Sequence, residues 1–481
     1  MNSSRAFACA ALAALTAGGC VTYPSPDETF SGVEDLVGQR GIEHVVWNRG
    51  SEADAEVGQA VHALLQHELT VDDAVQVALL NNRELQATYE DLGIAQADLV
   101  QAGLLSNPFI MGEVRFPSHP KTPFEIDVGA DFLDVLLRPL RKRVGTAQFE
   151  GSRLRVANAV VQLATQVRVA FFVLQGAEQV RDLRRTVAYA AEASADASRR
   201  LHDAGNVTDL EFANEQAALG QARLDLAQAE ADEAAAREDL TVLMGLWGED
   251  AQFTVAMKLP DLPADEVAPE NLESLAMTQR LDLGAAWSDV RAAALELGLQ
   301  DYAALQAGVE ATFHVEREPD GTTTSGPSLS IPIPLFDTGR AARERAQAVF
   351  RQRQQRYAAL AVEIRSSVRR TRDRLLAARN RAQFYRDEMV PLRTAIVDQT
   401  QLQYNAMLVG VFQLLQAKQA EIDAGRSYVE AMQDYWIAHA ELQEVVGGRL
   451  GDVVPAQPEA ETPAQPAQPE PEQTEHHHPG A

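Results

Sequence analysis

Cysteine is almost missing from this chain. Its 481 residues contain two, Cys9 and Cys20, both at the extreme N-terminus, so the body has no disulfide framework and no cysteine-based zinc or redox centre. Positive charge is scarce as well: 42 Lys plus Arg face 69 Asp plus Glu, a formal charge of −27. That balance excludes roles built on neutralising nucleic-acid phosphates and makes cations the attracted species. After Cys20 no window approaches the ~20 apolar residues of a spanning helix, so a membrane crossing would require a β-barrel. Catalytic signatures are wanting too. His62 and His67 lack an HExxH frame, no GxSxG occurs, and no glycine-rich phosphate loop follows a strand. His202 and Asp203 sit at a turn and His439 on an apolar-rich helix; no enzyme is expected.

Residues 1–20 have one early positive charge at Arg5, a short apolar core from Ala6 to Leu15, then small residues, the layout of a secretory signal. The stretch ends Ala17-Gly18-Gly19-Cys20 and resembles the lipobox of bacterial lipoproteins. That resemblance implies a covalent lipid on Cys20 and, with Val21 following, sorting to the outer membrane. A plain signal peptide with an incidental cysteine is the alternative.

Proline is absent between Pro139 and Pro260, and only Pro391 interrupts Phe336 to Asp452. Two very long helical regions are therefore available, and Pro391 is expected to bend the second. Each region has one break, HDAGNVTDL (202–210) and YNAMLVGVF (404–412). Aligning Glu84-Leu85 with Asp282-Leu283 gives an offset of 198, and aligning Gly205 with Met407 gives 202, which reads as a duplicated half-protein. A helix from Arg340 to Leu402 would be roughly 95 Å long, and the run Arg351 to Arg356 leaves room only for a narrow apolar stripe. A coiled-coil-like tube or bundle is expected.

Between the helices lie four segments with a period of two. In the first, Ile110, Gly112, Val114 and Phe116 alternate with Met111, Glu113 and Arg115. In the second, Ile126, Val128, Ala130 and Phe132 alternate with Glu125, Asp127, Gly129 and Asp131. The third sets Val309, Ala311, Phe313 and Val315 against Glu310, Thr312, His314 and Glu316. The fourth sets Leu329, Ile331, Ile333 and Leu335 against Ser328, Ser330, Pro332 and Pro334, whose prolines weaken it as a central strand. Turn-rich linkers at 117–123 and 317–326 make each pair a hairpin. Two readings fit: half-buried hairpins of a soluble domain, or membrane strands, which being four cannot close a barrel within one chain.

The segments at 70–108, GPSLSIPIPLFDTGR (326–340) and EMVPLRTAIVDQTQLQY (388–404) resemble the TolC family of outer-membrane efflux ducts, and the resemblance runs from about 70 to 448. It implies a mainly α protein with a transmembrane β portion: a homotrimer whose protomers each give four strands to a twelve-stranded barrel. The long helices would continue as a periplasmic tunnel meeting an adaptor and an inner-membrane pump of the RND type. The turns Gly205, Asn206, Val207, Thr208 and Met407, Leu408, Val409, Gly410 would be tunnel tips that contact the adaptor. The mouth aspartates of the best-known duct fall on Gln413 and Gln416, and in the first repeat on Glu211 and Asn214. Glu211 is thus the one acidic candidate for a mouth ring, or else a helix N-terminal carboxylate. The REPDGTTTSGPSLSIPIPLF strand pair (317–336) together with the FLDVLLRPLRKRV junction (132–144) is most similar to heavy-metal efflux ducts.

Glu113, Glu125, Asp127, Asp131, Glu310, His314 and Glu316 would line the pore with Arg115 their only basic companion, a lumen that favours cations. The expected division is signal (1–20), N-terminal periplasmic segment (21–69), first repeat (70–247 with strand pair 109–133), linker or belt (248–270), second repeat (271–448 with strand pair 305–336) and a Pro- and Glu-rich disordered tail (449–481). In that tail His476, His477 and His478 are candidate metal ligands. No bound cofactor is expected. The rival function is a soluble periplasmic coiled-coil adaptor or scaffold.

Overall fold

The computed structural model describes residues 25–50, 53–116, 121–256, 258–263, 271–305 and 308–448. Cys20 and the three tail histidines lie outside them. The first half runs α1 (Pro26–Gly38), α2 (Ala53–Leu65), α3 (Val71–Asn81), α4 (Arg83–Ala102), β1 (Phe109–Val114), β2 (Phe124–Asp131), α5 (Phe132–Asp203) and α6 (Asp209–Met244). From α7 (Leu272–Gln279) and α8 (Leu281–Gln300) the order repeats through β3 (Glu310–Arg317), β4 (Thr323–Ser330), α9 (Arg340–Phe384), a π turn (Tyr385–Met389), α10 (Val390–Asn405) and α11 (Val411–Val446). With 72 residues, α5 is about 110 Å long.

Matching backbone geometry recurs in the two halves. Between the paired short helices, Asn82 (φ −66°, ψ 118°) and Arg280 (φ −66°, ψ 122°) adopt the same extended kink. Each kink receives the end of a long helix, through the left-handed glycines Gly245 (φ 66°) and Gly447 (φ 89°). A Cβ on Gly245 would stand 2.7 Å from the Asn81 carbonyl oxygen, and one on Gly447 3.0 Å from the Arg280 nitrogen. Conformation and space therefore both demand glycine there. In the first half, Asn81 and Asn82 complete the joint by donating to the carbonyls of Met244, Gly245 and Leu243.

The main core lies around this joint, where Tyr89, Leu92, Phe171, Leu174, Leu240 and Met244 are buried. Phe30 of α1 packs edge-on against Tyr89 with ring centroids 4.9 Å apart, clamping the N-terminal segment to α4. A second core joins α7 to α9 and α11 through Leu272, Ile364, Val368, Leu375, Tyr435 and Leu442. Toward the tips the buried stripe thins to Val187, Ala188 and Ala222, as expected for helices meeting along narrow seams. Residues 248–256 and 258–263 are tied to the long helices, their carbonyls at Phe253, Ala256, Pro260 and Pro263 accepting from Arg237, Gln175, Trp436 and Arg379.

Four details depart from the sequence reading. The fourth strand is Thr323–Ser330, shifted five residues ahead of the 328–335 alternation read from the sequence, because Pro332 and Pro334 cannot donate to a ladder. Pro391 sits behind a π turn, whose widened hydrogen bonding accommodates the missing N–H that an unbroken α-helix would not. Pro139 lies inside α5, not before it; as the eighth residue it is past the first turn, so the helix forgoes the bond from position 139 to the Val135 carbonyl. Lastly, α5 holds an 18-residue window with a mean hydropathy of 1.5, so one stretch is apolar and long enough to cross a membrane by composition; half of it is buried within the protein.

Beside the main core, buried Glu178 of α5 meets Arg237 of α6 at 2.7 Å, and Arg181 meets Glu233 at 2.6 Å. Removing one partner strands the other charge in a poorly hydrated site. Arg237→Met is expected to destabilise the protein by about 3 kcal/mol, and the Glu178→Gln/Arg237→Met double variant by less than the sum of its parts, as read from the thermal midpoints of the purified proteins.

Candidate functional site

The strands form one antiparallel sheet in the order β1-β2-β3-β4. The β2–β3 ladder pairs Glu125 with Glu316, Asp127 with His314 and Asp131 with Glu310, so the two halves of the chain meet in mid-sheet. With Glu113 opposite Glu125, this register puts every predicted pore-lining residue (Glu113, Glu125, Asp127, Asp131, Glu310, His314, Glu316) on one face. The other face carries Ile110, Val114, Ile126, Val128, Phe313 and Leu329, all exposed, Ile110 at 76%. Such a contiguous apolar face on one side of a sheet is uncommon for a surface left in water.

On the polar face Arg115 reaches three carboxylates at once. Its guanidinium pairs with Glu113 (2.9 Å), Glu316 (3.0 Å) and Glu125. His314 places Nδ1 2.8 Å from Asp127 Oδ1 and 3.5 Å from Glu125 Oε1, with Nε2 3.5 Å from Glu316 Oε2. Alternation placed these groups on a face but could not pair them; pairing required the register between strands about 190 residues apart, for which one sequence carries no signal.

Where the sheet hands over to the helices, Asp134 is the pin. Its carboxylate pairs with Arg141 and accepts from the Ser106 amide at 2.7 Å and hydroxyl at 2.8 Å, tying the approach to β1 onto α5. Chiefly through Arg141, and against the opposing effect of burial, its pKa falls to about 2. Sequence reading marked the junction but not this residue, since an acidic side chain in a first helical turn is routine.

At the opposite end, both breaks are turns of one design. Gly205 (φ 77°) and Met407 (φ 60°) occupy the left-handed position. The Asn206 and Leu408 amides donate back to the Leu201 and Gln403 carbonyls, at 2.8 and 2.9 Å. Glu211 closes a capping box with Thr208, whose amide and hydroxyl hold its carboxyl below the ordinary range. Gln413 does the same for the Gly410 amide at 2.9 Å. Glu211 and Gln413 are thus helix caps. Asn214 and Gln416 instead line a groove between the two hairpins, together with Glu215 and Ala218.

Two outcomes follow for these ends. A Cβ on Gly205 meets nothing within 4 Å, so Gly205→Ala costs backbone strain alone, about 1 kcal/mol. It should speed amide exchange across 201–208, whereas Met407→Gly should slow it across 403–410 by a smaller factor, because glycine's freedom in the open state offsets part of the gain. For Asp134 the lowered pKa means that its contribution is present above the ordinary value of 3.8 and is lost as pH falls through about 2. Asp134→Asn should therefore lower the thermal midpoint at pH 7, with the gap to wild type narrowing as acid is added.

Over residues 272–448 the chain matches the family model described as outer membrane efflux protein. The cobalt-zinc-cadmium resistance protein CzcC of Cupriavidus metallidurans is 23% identical over 394 residues, 79% of this chain and 90% of that protein. Among solved structures, the CmeC outer membrane channel of Campylobacter jejuni matches with a TM-score of 0.66 at 15% identity, over 79% of this chain and 85% of that one. The open-state MtrE outer membrane channel of Neisseria gonorrhoeae matches with 0.62 at 18% identity, over 79% and 89%. Both likenesses place the helices and the small sheet in the outer-membrane channel fold. The second half of the chain thus matches the outer membrane efflux protein family, and the alignment with CzcC extends a likeness along most of its length.

Proposed function

We propose that this protein is the outer-membrane channel of a tripartite efflux system, a passive export duct for heavy-metal cations, lipid-anchored through Cys20. The observation that carries the reading is the two-faced sheet. One face is acidic and the other apolar and exposed, and among the described residues neither β1 nor β4 has a strand partner on its outer edge. A bilayer tolerates no open edge, and four strands are too few to close a barrel. Three copies close twelve strands, with the apolar face toward lipid and the acidic face toward water.

In this arrangement the duplicated hairpins form a periplasmic tunnel. The turns Gly205–Thr208 and Met407–Gly410 meet the adaptor, and Glu211, Asn214, Gln413 and Gln416 sit just behind them at the mouth. Direction and energy come from an inner-membrane pump of the RND type; the channel supplies a water-filled path whose negative wall enriches cations. Kinship with a cobalt-zinc-cadmium resistance protein supports that cargo.

Purified protein in a planar bilayer under a salt gradient tests the reading. Discrete conductance with a cation-selective reversal potential is expected, and Glu113→Gln/Glu310→Gln should shift that potential toward zero. Conductance without cation preference would remove the cargo argument and keep the duct. A chain that stays soluble and monomeric without detergent would overturn the duct in favour of a soluble periplasmic adaptor or scaffold.

A further inference from the structure

We propose that Glu125, Asp127 and His314 form a binding site for a borderline divalent cation such as Zn²⁺ or Co²⁺, one per protomer, on the acidic face of the sheet. One ligand atom from each residue lies within 4.8 Å of the others. Metal–ligand bonds of about 2.0–2.2 Å bring tetrahedral ligand atoms to roughly 3.4 Å from one another, so small side-chain shifts suffice to close the three around one ion. An imidazole with two carboxylates suits zinc and cobalt better than calcium or magnesium, which prefer all-oxygen shells.

The surroundings are those of a ligating histidine. With Nδ1 turned to Asp127 and Glu125, the opposite ring nitrogen faces Glu316 Oε2 at 3.5 Å. A carboxylate behind the second nitrogen holds the proton there, fixes the ring and makes the first nitrogen a better donor. Arg115 in turn holds the other oxygens of Glu316 and Glu125, leaving the oxygens that face His314 free to serve it. Asp127 is buried to 8% exposure, and a hollow of about 510 Å³, bordered also by Met111, Thr312 and Ser328, opens over the cluster, enough for an ion with its remaining waters. Loading the site exchanges the proton shared by Nδ1 and Asp127 Oδ1 for the metal and releases it to solvent.

Three protein ligands leave a coordination position open, as in exchangeable zinc sites, and a conducting path needs sites that release as readily as they bind. Each half of the chain supplies part of the set: Glu125 and Asp127 from β2, His314 from β3. As a transit site for exported metal it rests on the duct reading; as a binding site it stands on the geometry.

The test is titration of the purified detergent-solubilised trimer with Co²⁺ alone, in a background where His476, His477 and His478 are alanine so that the tail cannot compete. Expected is one Co²⁺ per protomer with visible absorption of low-coordinate cobalt. His314→Ala and Asp127→Asn should each abolish the band and weaken binding at least about tenfold, with trimer size checked by light scattering. A background protein that takes up no Co²⁺, or a band and affinity unchanged in both variants, would overturn the site. Failure of the duct reading registers separately, as absent conductance in the planar bilayer whether or not Co²⁺ binds.

Discussion

The ladder between β2 and β3 joins strands from opposite halves of the chain, pairing Phe124–Asp131 with Glu310–Arg317. Each half on its own offers a two-stranded hairpin, which is marginal in water, and a helical hairpin with a narrow seam. Once these two strands pair, the acidic positions of both halves fall on one face and the apolar positions on the other. The helices α5 and α9, which follow β2 and β4, then leave the sheet toward the main and the second core respectively. Shifting the register by one residue would turn each acidic side chain of β3 toward the apolar side, so the polarity of the whole sheet depends on this single pairing.

Much of this architecture was legible in the sequence, and the reasons differ by element. Turn chemistry marked both tips, because Gly205 and Thr208 announce a left-handed cap followed by an N-cap. The second turn keeps the same geometry although Met407 replaces the glycine. Period-two alternation located β1, β2 and β3 to within a residue or two. It failed at β4, where Ile331, Ile333 and Leu335 continue the pattern beyond the point at which Pro332 and Pro334 end the ladder. Side-chain alternation reports which way residues point, not whether their amides can bond. The same gap hid the cross-strand pairings of Arg115 with Glu125 and Glu316 and of His314 with Glu125 and Asp127.

The recurrence of one joint in both halves also explains how a chain with so thin a core along its long helical hairpins keeps its shape. Each long helical hairpin is fastened at one end by a glycine docked on a kink, Gly245 on Asn81 and Asn82, Gly447 on Gln279 and Arg280. The two joints use the same backbone conformation with different side-chain help. Asn82 bonds the Leu85 amide at 2.8 Å, whereas Arg280 has no side-chain cap and instead pairs with Asp282 at 2.6 Å. Backbone geometry at these joints is common to both halves, and the polar groups around it are not.

The π turn at Tyr385–Met389 has a mechanical meaning. One extra residue advances the helical phase by about 100°, so the buried stripe of α9, from Ile364 to Ala382, does not carry on into α10, where no residue is buried. The 16 residues of α10 therefore form a lever arm about 24 Å long, steadied by surface contacts such as Thr394 Oγ1 to Glu421 at 2.8 Å. Pivoting that arm by about 10° at the π turn carries the second tip roughly 4 Å without prising open either core.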